Sequence, residues 1–169
     1  MTEATYKKIE VYFNSHKAAF IFLKAVYSYL PLLIYALYPV LLINNFIDVL
    51  KGGDIDDLIR TLIVPAVTFL SVSLLRIIIN KPRPYEAMNI NPIFKKDTKG
   101  KSFPSRHSAS IFTIAMASFG FSTAVGVVLI ILGVLMCISR VIGGVHYISD
   151  VIAGAVYSVV LGLFGLYII

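Results

Sequence analysis

What most constrains this chain is how far it runs without a charge. From Phe20 to Ile47 the only charged residue is Lys24, and from Ser108 to Ser139 and from Val151 to Ile169 there is none. A helix needs about 20 apolar residues to cross the hydrocarbon core of a bilayer. The runs reach that length, and a core built by 169 residues could not hide them all. Hydrophobic residues make up 58% of the chain and charged ones 14%, where soluble domains carry roughly a quarter charged. These values exclude an ordinary water-soluble domain.

Walking the chain gives an all-α, polytopic membrane bundle of about five spans, with residues 1–169 as one membrane-embedded domain. Residues 1–19 mix Lys7, Lys8, Glu10, His16 and Lys17 with Ile9, Val11, Tyr12 and Phe13, the pattern of a helix lying in the membrane interface. The first apolar run begins near Ala18 and has no small-residue cleavage site, so no removable signal peptide is expected. Phe20 to Ile47 is one long span with Pro31 and Pro39 as expected kinks. Asp48 to Asp57 is a polar turn, and a second span runs from Leu58 to Asn80. A basic, proline-rich loop over residues 81–104 precedes a third, shorter span from Ser105 to Phe119. Ala124 to Ser139 and Ile148 to Ile169 complete the set. The single Cys137 leaves no intrachain disulfide and no cysteine-based zinc site.

Counting spans places the ionisable residues. If the N-terminus marks one face, the second span returns there at Arg76, the third leaves from there at His107, the fourth returns at Arg140 and the fifth starts at His146. Arg76, Arg83, Arg106, His107, Arg140, His146 and Asp150 therefore gather at one depth on one face. Charges at membrane depth are costly and mark function. A cluster of four arginines and two histidines suits a multiply charged anion, and the guanidinium fork matches phosphate oxygens. Snorkelling to lipid headgroups explains any one arginine but not the histidines. The net charge of +6 on so apolar a chain points to anionic lipid rather than nucleic acid as partner.

The spacings within that cluster resemble the type 2 phosphatidic acid phosphatase superfamily, whose motifs are Lys-x6-Arg-Pro, Pro-Ser-Gly-His and Ser-Arg-x5-His-x3-Asp. Here they read Arg76-x6-Arg83-Pro84, Pro104-Ser105-Arg106-His107 and Ser139-Arg140-x5-His146-x3-Asp150, within a core of residues 58–165. The resemblance implies a lipid phosphatase in which Arg76, Arg83, Ser105, His107, Arg140, His146 and Asp150 form the phosphate site. Arginine for the usual lysine at 76 keeps the charge. Arginine for the usual glycine at 106 leaves two alternatives: its side chain reaches a second phosphate or acidic headgroup, or it points into the interface.

The residues supply a complete chemistry without a cofactor. His146 and Asp150 are spaced i, i+4, so the carboxylate fixes one ring nitrogen and leaves the other to attack phosphorus. His107 is the candidate acid for the leaving oxygen and base for water. A phosphohistidine at His146 would be the intermediate. A magnesium site would need clustered carboxylates, and the basic face offers Glu86, Asp97 and Asp150. Asp54, Asp56 and Asp57 lie on the other face, where Asp56 or Asp57 is expected to cap the second span. Hence no metal is expected. The run Lys95-Lys96-Asp97-Thr98-Lys99-Gly100-Lys101 beside the pocket would collect anionic lipid.

Three functions compete: hydrolysis of a lipid phosphate, silent binding or transport of one on the same fold, and hydrolysis of a soluble phosphate. His107 and the His146–Asp150 pair favour hydrolysis, since a binder needs cations but neither nucleophile nor acid. Phosphatidic acid, phosphatidylglycerophosphate and a polyprenyl diphosphate such as undecaprenyl pyrophosphate remain open as substrates. In a cell membrane, Lys7, Lys8, Lys17 and Lys24 together with the loop lysines argue for a cytoplasmic site, whereas the resemblance implies the extracytoplasmic face.

Overall fold

The computed structural model describes residues 1–94 and 97–167. Seven helices follow one another: α1 (Glu3–Ser15), α2 (Lys17–Leu50), α3 (Ile55–Ile79), α4 (Pro84–Ala87), α5 (Arg106–Phe121), α6 (Thr123–Ile142) and α7 (Ile148–Tyr167). The last residues of the expected fifth span, Ile168 and Ile169, lie outside the described residues. Pro31 and Pro39 both sit inside the continuous α2. At 34 residues α2 is about 51 Å long, more than a hydrocarbon core requires.

Among the described residues four helices are long and apolar enough to cross a membrane: α2, α3 (in a stretch reaching Ala87), α6 and α7. Their outward faces carry exposed side chains such as Leu32 and Leu33, Leu70 and Leu74, Val128 and Ile131, and Ile152 and Val156. Apolar patches that extensive mark a surface that meets lipid. The expected short third span is α5, and it differs from the rest. Its 16 residues give about 24 Å, and every residue from Ser108 to Ser118 is buried. Sheathed by its neighbours, α5 need not match the bilayer thickness. It still connects the two ends of the bundle, since its C-terminal Phe121 lies with Asn45 of α2, Arg60 of α3 and Leu166 of α7 around a cleft at the far end.

The core forms where α5 meets α2 and α6, through Ile111, Phe112, Ile114 and Ala115 against Leu30, Ile34 and Leu41 and against Leu129 and Met136. Tyr38 Oη donates to the Thr61 carbonyl at 3.0 Å and Asn45 Nδ2 to Thr61 Oγ1 at 2.9 Å, tying α2 to α3. At the start of α3 the cap is Asp54, whose carboxylate accepts from the Asp56 N–H; Asp56 and Asp57 lie in the first turn. This corrects the expected cap. The helix begins one turn earlier than the hydropathy pattern suggests, because its first turn is polar and reads as loop.

Gly154 sets the distance between α5 and α7. A Cβ there would stand 2.5 Å from the Ser105 carbonyl oxygen and 3.1 Å from Ser108 Cβ. Gly154→Ala should therefore push the two helices apart at the end that carries His107 and His146, lowering both thermal stability in detergent and activity. Gly120→Ala, at an exposed position where a Cβ meets nothing within 4 Å, is the control and should be neutral or slightly stabilising. Melting curves of the two variants check this.

Candidate active site

One end of the bundle collects the charged residues. Arg76 lies in the last turn of α3 and is buried; its Nη1 donates to the Pro104 carbonyl at 2.9 Å. The helix then stops at Asn80, whose left-handed conformation (φ 41°) turns the chain. Arg83 precedes α4 and is held on three sides. Its backbone N–H donates to Glu86 Oε2 at 2.8 Å, its Nε to the Gly100 carbonyl at 3.1 Å and its Nη1 to the Val145 carbonyl at 3.1 Å. Glu86 also accepts from the Gly100 N–H, and Gly100 has φ +60° with Asn80 Oδ1 only 2.3 Å from where a Cβ would be. Only glycine fits that turn.

These elements enclose a cavity of about 410 Å³ lined by Ser73, Arg76, Ile77, Arg83, Thr98, Lys99, Gly100, Lys101, Arg106, His107 and His146. Cations and imidazoles face it, and no carboxylate stands among its described lining residues. Arg106 and His107 are the first two residues of α5, so the positive end of that helix adds to the field. Arg106 also stands over the Phe69 ring at 5.7 Å. From the expected lysine run, Lys99 and Lys101 line the cavity, whereas Lys95 and Lys96 lie outside the described residues.

His146 is 2% exposed and forms the cavity's inner wall. It precedes α7 by two residues, and its Nδ1 stands 3.6 Å from Asp150 Oδ2. That is longer than a hydrogen bond, and the contact becomes an ion pair only with the ring protonated. Beside both stands Ser102, whose Oγ donates to Asp150 Oδ2 and lies 3.4 Å from His146 Nδ1. Burial lowers the imidazole from 6.5 to about 4; Asp150 opposes that shift, and the nearby Arg83 and Arg76 add to it. That shift favours the neutral ring.

Two residues sit elsewhere than the resemblance implied. The Ser105 hydroxyl caps α5, accepting from the Ser108 N–H, while its own N–H donates to the Asp150 carbonyl at 2.9 Å. Arg140 is buried in the last turn of α6, but its Nη2 donates to the Tyr27 carbonyl at 3.1 Å and its guanidinium lies 4.0 Å over the Tyr27 ring. A buried guanidinium here takes the partner its own helix face meets, which is α2. Two residues were missed. Lys81 Nζ donates to Asp150 Oδ1 at 2.7 Å and to Ser149 Oγ at 3.1 Å. Ser102, fully buried, is the other. Nothing in their spacing announces them, since they are 69 and 48 residues from Asp150. Among the described residues no group of three His, Cys, Asp or Glu is placed to hold a metal ion.

A comparison with known protein families matches residues 57–169 to the PAP2 superfamily. The chain belongs to that superfamily. Among curated relatives it is 37% identical over 76 residues to the bacitracin transport permease protein BcrC of Bacillus licheniformis, covering 45% of this chain and 37% of that protein. It is 29% identical over 89 residues to undecaprenyl-diphosphatase BcrC of Bacillus subtilis (strain 168), covering 53% of this chain and 46% of that one. The matches thus span less than half the length of either relative. Among solved structures, Aquifex aeolicus LpxE superposes with a TM-score of 0.70 at 25% identity, covering 95% of this chain and 93% of that one.

The His146 environment makes stability depend on pH. Its folded value is lowered, so the unfolded chain binds the extra proton first as pH falls. The contribution is fully present above about 6.5 and is lost between about 6.5 and about 4, amounting to about 3 kcal/mol. Melting temperature in detergent should fall over that window, and His146→Gln should flatten the slope.

Proposed function

We propose that this PAP2 protein is a metal-independent phosphatase of a lipid phosphomonoester or diphosphate, with a polyprenyl diphosphate as the favoured substrate and the site on the extracytoplasmic face of the cell membrane. The observation that carries this reading is the cationic cavity with a neutral, carboxylate-supported His146 in its wall. Nδ1 faces Ser102 and Asp150, leaving Nε2 for attack. Nε2 forms a bond to phosphorus as the bond to the leaving oxygen breaks, and His107 supplies that oxygen's proton. His107 then takes a proton from water, which attacks phosphorus, breaks the P–N bond and releases phosphate. Arg76 and Arg83 stabilise the charge on the transferring group, each such donor contributing about 2.7–4 kcal/mol.

A lipid rather than a soluble substrate is supported by the cavity's position. Its walls include Ser73 and Ile77 of α3 and Arg106 of α5. One turn deeper, Phe69 and Ser110 line an apolar groove of about 430 Å³ with Tyr35, Tyr38, Ala66 and Thr113. A hydrocarbon chain attached to the phosphate has somewhere to lie. The diphosphate preference draws on Arg106, which lines the cavity beyond the arginines that hold one phosphoryl group, and on the activity named for the Bacillus subtilis relative.

The test is phosphate release by purified protein in detergent with excess chelator. Wild type should turn over and His146→Ala should not, while still folding and binding inorganic phosphate. A dead wild type that binds phosphate would establish a silent binder, and Mg²⁺-dependent recovery would restore the metal reading. Arg106→Gly should lower efficiency on a polyprenyl diphosphate about tenfold to a hundredfold, as expected for a charged hydrogen bond of about 1.5–3 kcal/mol, with little change on a matched monophosphate. An unchanged ratio removes Arg106 from substrate recognition.

A further inference from the structure

The charged groups around Asp150 include one that the family motifs leave out. Asp150 is fully buried, and a buried carboxylate must have its charge compensated and its oxygens hydrogen-bonded. Its two oxygens divide the work. Oδ1 takes Lys81 Nζ at 2.7 Å and Ser149 Oγ at 3.3 Å. Oδ2 takes the Ser102 hydroxyl and the Tyr147 N–H at 3.0 Å and faces His146 Nδ1. Lys81 is itself held in place by aromatic faces, with Nζ 4.4 Å from the Tyr147 ring centre and 5.4 Å from that of Phe103. Its ammonium is therefore fixed on the side of the carboxylate away from the imidazole.

We propose that Lys81 and Ser102 are positioning residues for His146. Lys81 anchors Asp150 through Oδ1 and offsets its charge, and Ser102 relays Oδ2 to Nδ1. The inference rests on His146 being the nucleophile. Its chemistry follows from the directions of the bonds. Ser102 gives its proton to Asp150 Oδ2, so its oxygen lone pair is left to accept from Nδ1–H. That selects the tautomer with the lone pair on Nε2, the one that attacks. Attack makes the ring cationic, and Asp150 then stabilises it through the same relay. Lys81 governs how strongly it does so at rest. With the ammonium in place, Asp150 exerts a moderated pull on the imidazole, and the ring stays neutral and nucleophilic. Without it the uncompensated carboxylate would hold a proton on the ring. The other groups facing this pair are Arg76 of α3 and Arg83 before α4, both of which favour the neutral ring, with His107 of α5 on the same cavity. Tyr147 and, from α1, Tyr6 face Asp150 from the other side.

The discriminating measurement is the acid limb of the kcat/KM pH profile, which reports His146 in the free enzyme. Lys81→Met should move that limb to higher pH by about one unit, the size expected when a neighbouring charge is removed, while inorganic phosphate still inhibits. Lys81→Arg should return the limb to its wild-type position. Ser102→Ala should lower kcat about tenfold or more with KM unchanged. If Lys81→Met does not bind phosphate, Lys81→Gln carries the same test, since it keeps an N–H for Oδ1 without the charge. A uniform loss at all pH values with an unmoved limb would show that Lys81 only supports the fold and would overturn the proposal, as would an unaffected kcat in Ser102→Ala. His146→Ala, measured alongside, separates the two levels. If it retains turnover, the nucleophile assignment fails. If it is inactive and the Lys81 limb is unmoved, only this inference fails.

Discussion

One buried carboxylate organises the working end of this protein. Asp150 lies in the first turn of α7, where its side chain receives Lys81 from the connection after α3, Ser102 from the long loop, and the Tyr147 N–H from its own turn. Its backbone carbonyl accepts from the Ser105 N–H at the start of α5. The connection after α3 and the stretch from Ser102 to Ser105 are thus both held to the start of α7 by a single residue. A charge in such a place is tolerated only when every oxygen is satisfied, so the segments have little freedom to move relative to one another. His146, beside Asp150 in the cavity wall, shares that constraint.

The apolar part of the fold makes this arrangement possible. Three long helices and α7 present their outer faces to lipid, and α5 is left in the middle with none to present. Being short and enclosed, α5 delivers its N-terminus, with Arg106 and His107, to a fixed depth. Gly154 lets α7 approach to within van der Waals distance of Ser105, so Asp150 and the α5 terminus meet directly. Arg83 and Thr98 to Lys101 help wall the cavity, and Phe94 stacks on Tyr27 of α2 with ring centres 4.1 Å apart. Polar groups at this end are paired mainly with backbone carbonyls and with one another, which is how a membrane bundle accommodates them.

Arg140 shows how a family pattern and a particular chain can diverge. Its position in the motif is kept, yet its guanidinium rests on the Tyr27 ring and carbonyl. Arg76 and Arg83 donate to the Pro104, Gly100 and Val145 carbonyls and still line the cavity. The positive character of the site therefore rests on those two, on Arg106, and on Lys99 and Lys101 from the loop.

The sequence by itself determined that this is a helical membrane protein, because uncharged runs as long as Ser108 to Ser139 have no other way to satisfy their backbone. It also determined which end holds the chemistry, since span parity puts Arg76, His107 and His146 on one face whatever the packing. Local proximity was legible too: His146 and Asp150 lie four residues apart and come within 3.6 Å, although His146 stands before the first turn of α7. Tertiary structure decided the rest. That α5 is the enclosed helix depends on neighbours its own residues do not specify, and the cap at Asp54 lies where hydropathy reads loop. Lys81 and Ser102 reach Asp150 from 69 and 48 residues away, and Arg140 turns to Tyr27 across 113. Periodicity reports contacts within a helix; contacts between helices are fixed only when the whole bundle chooses how to bury its charges.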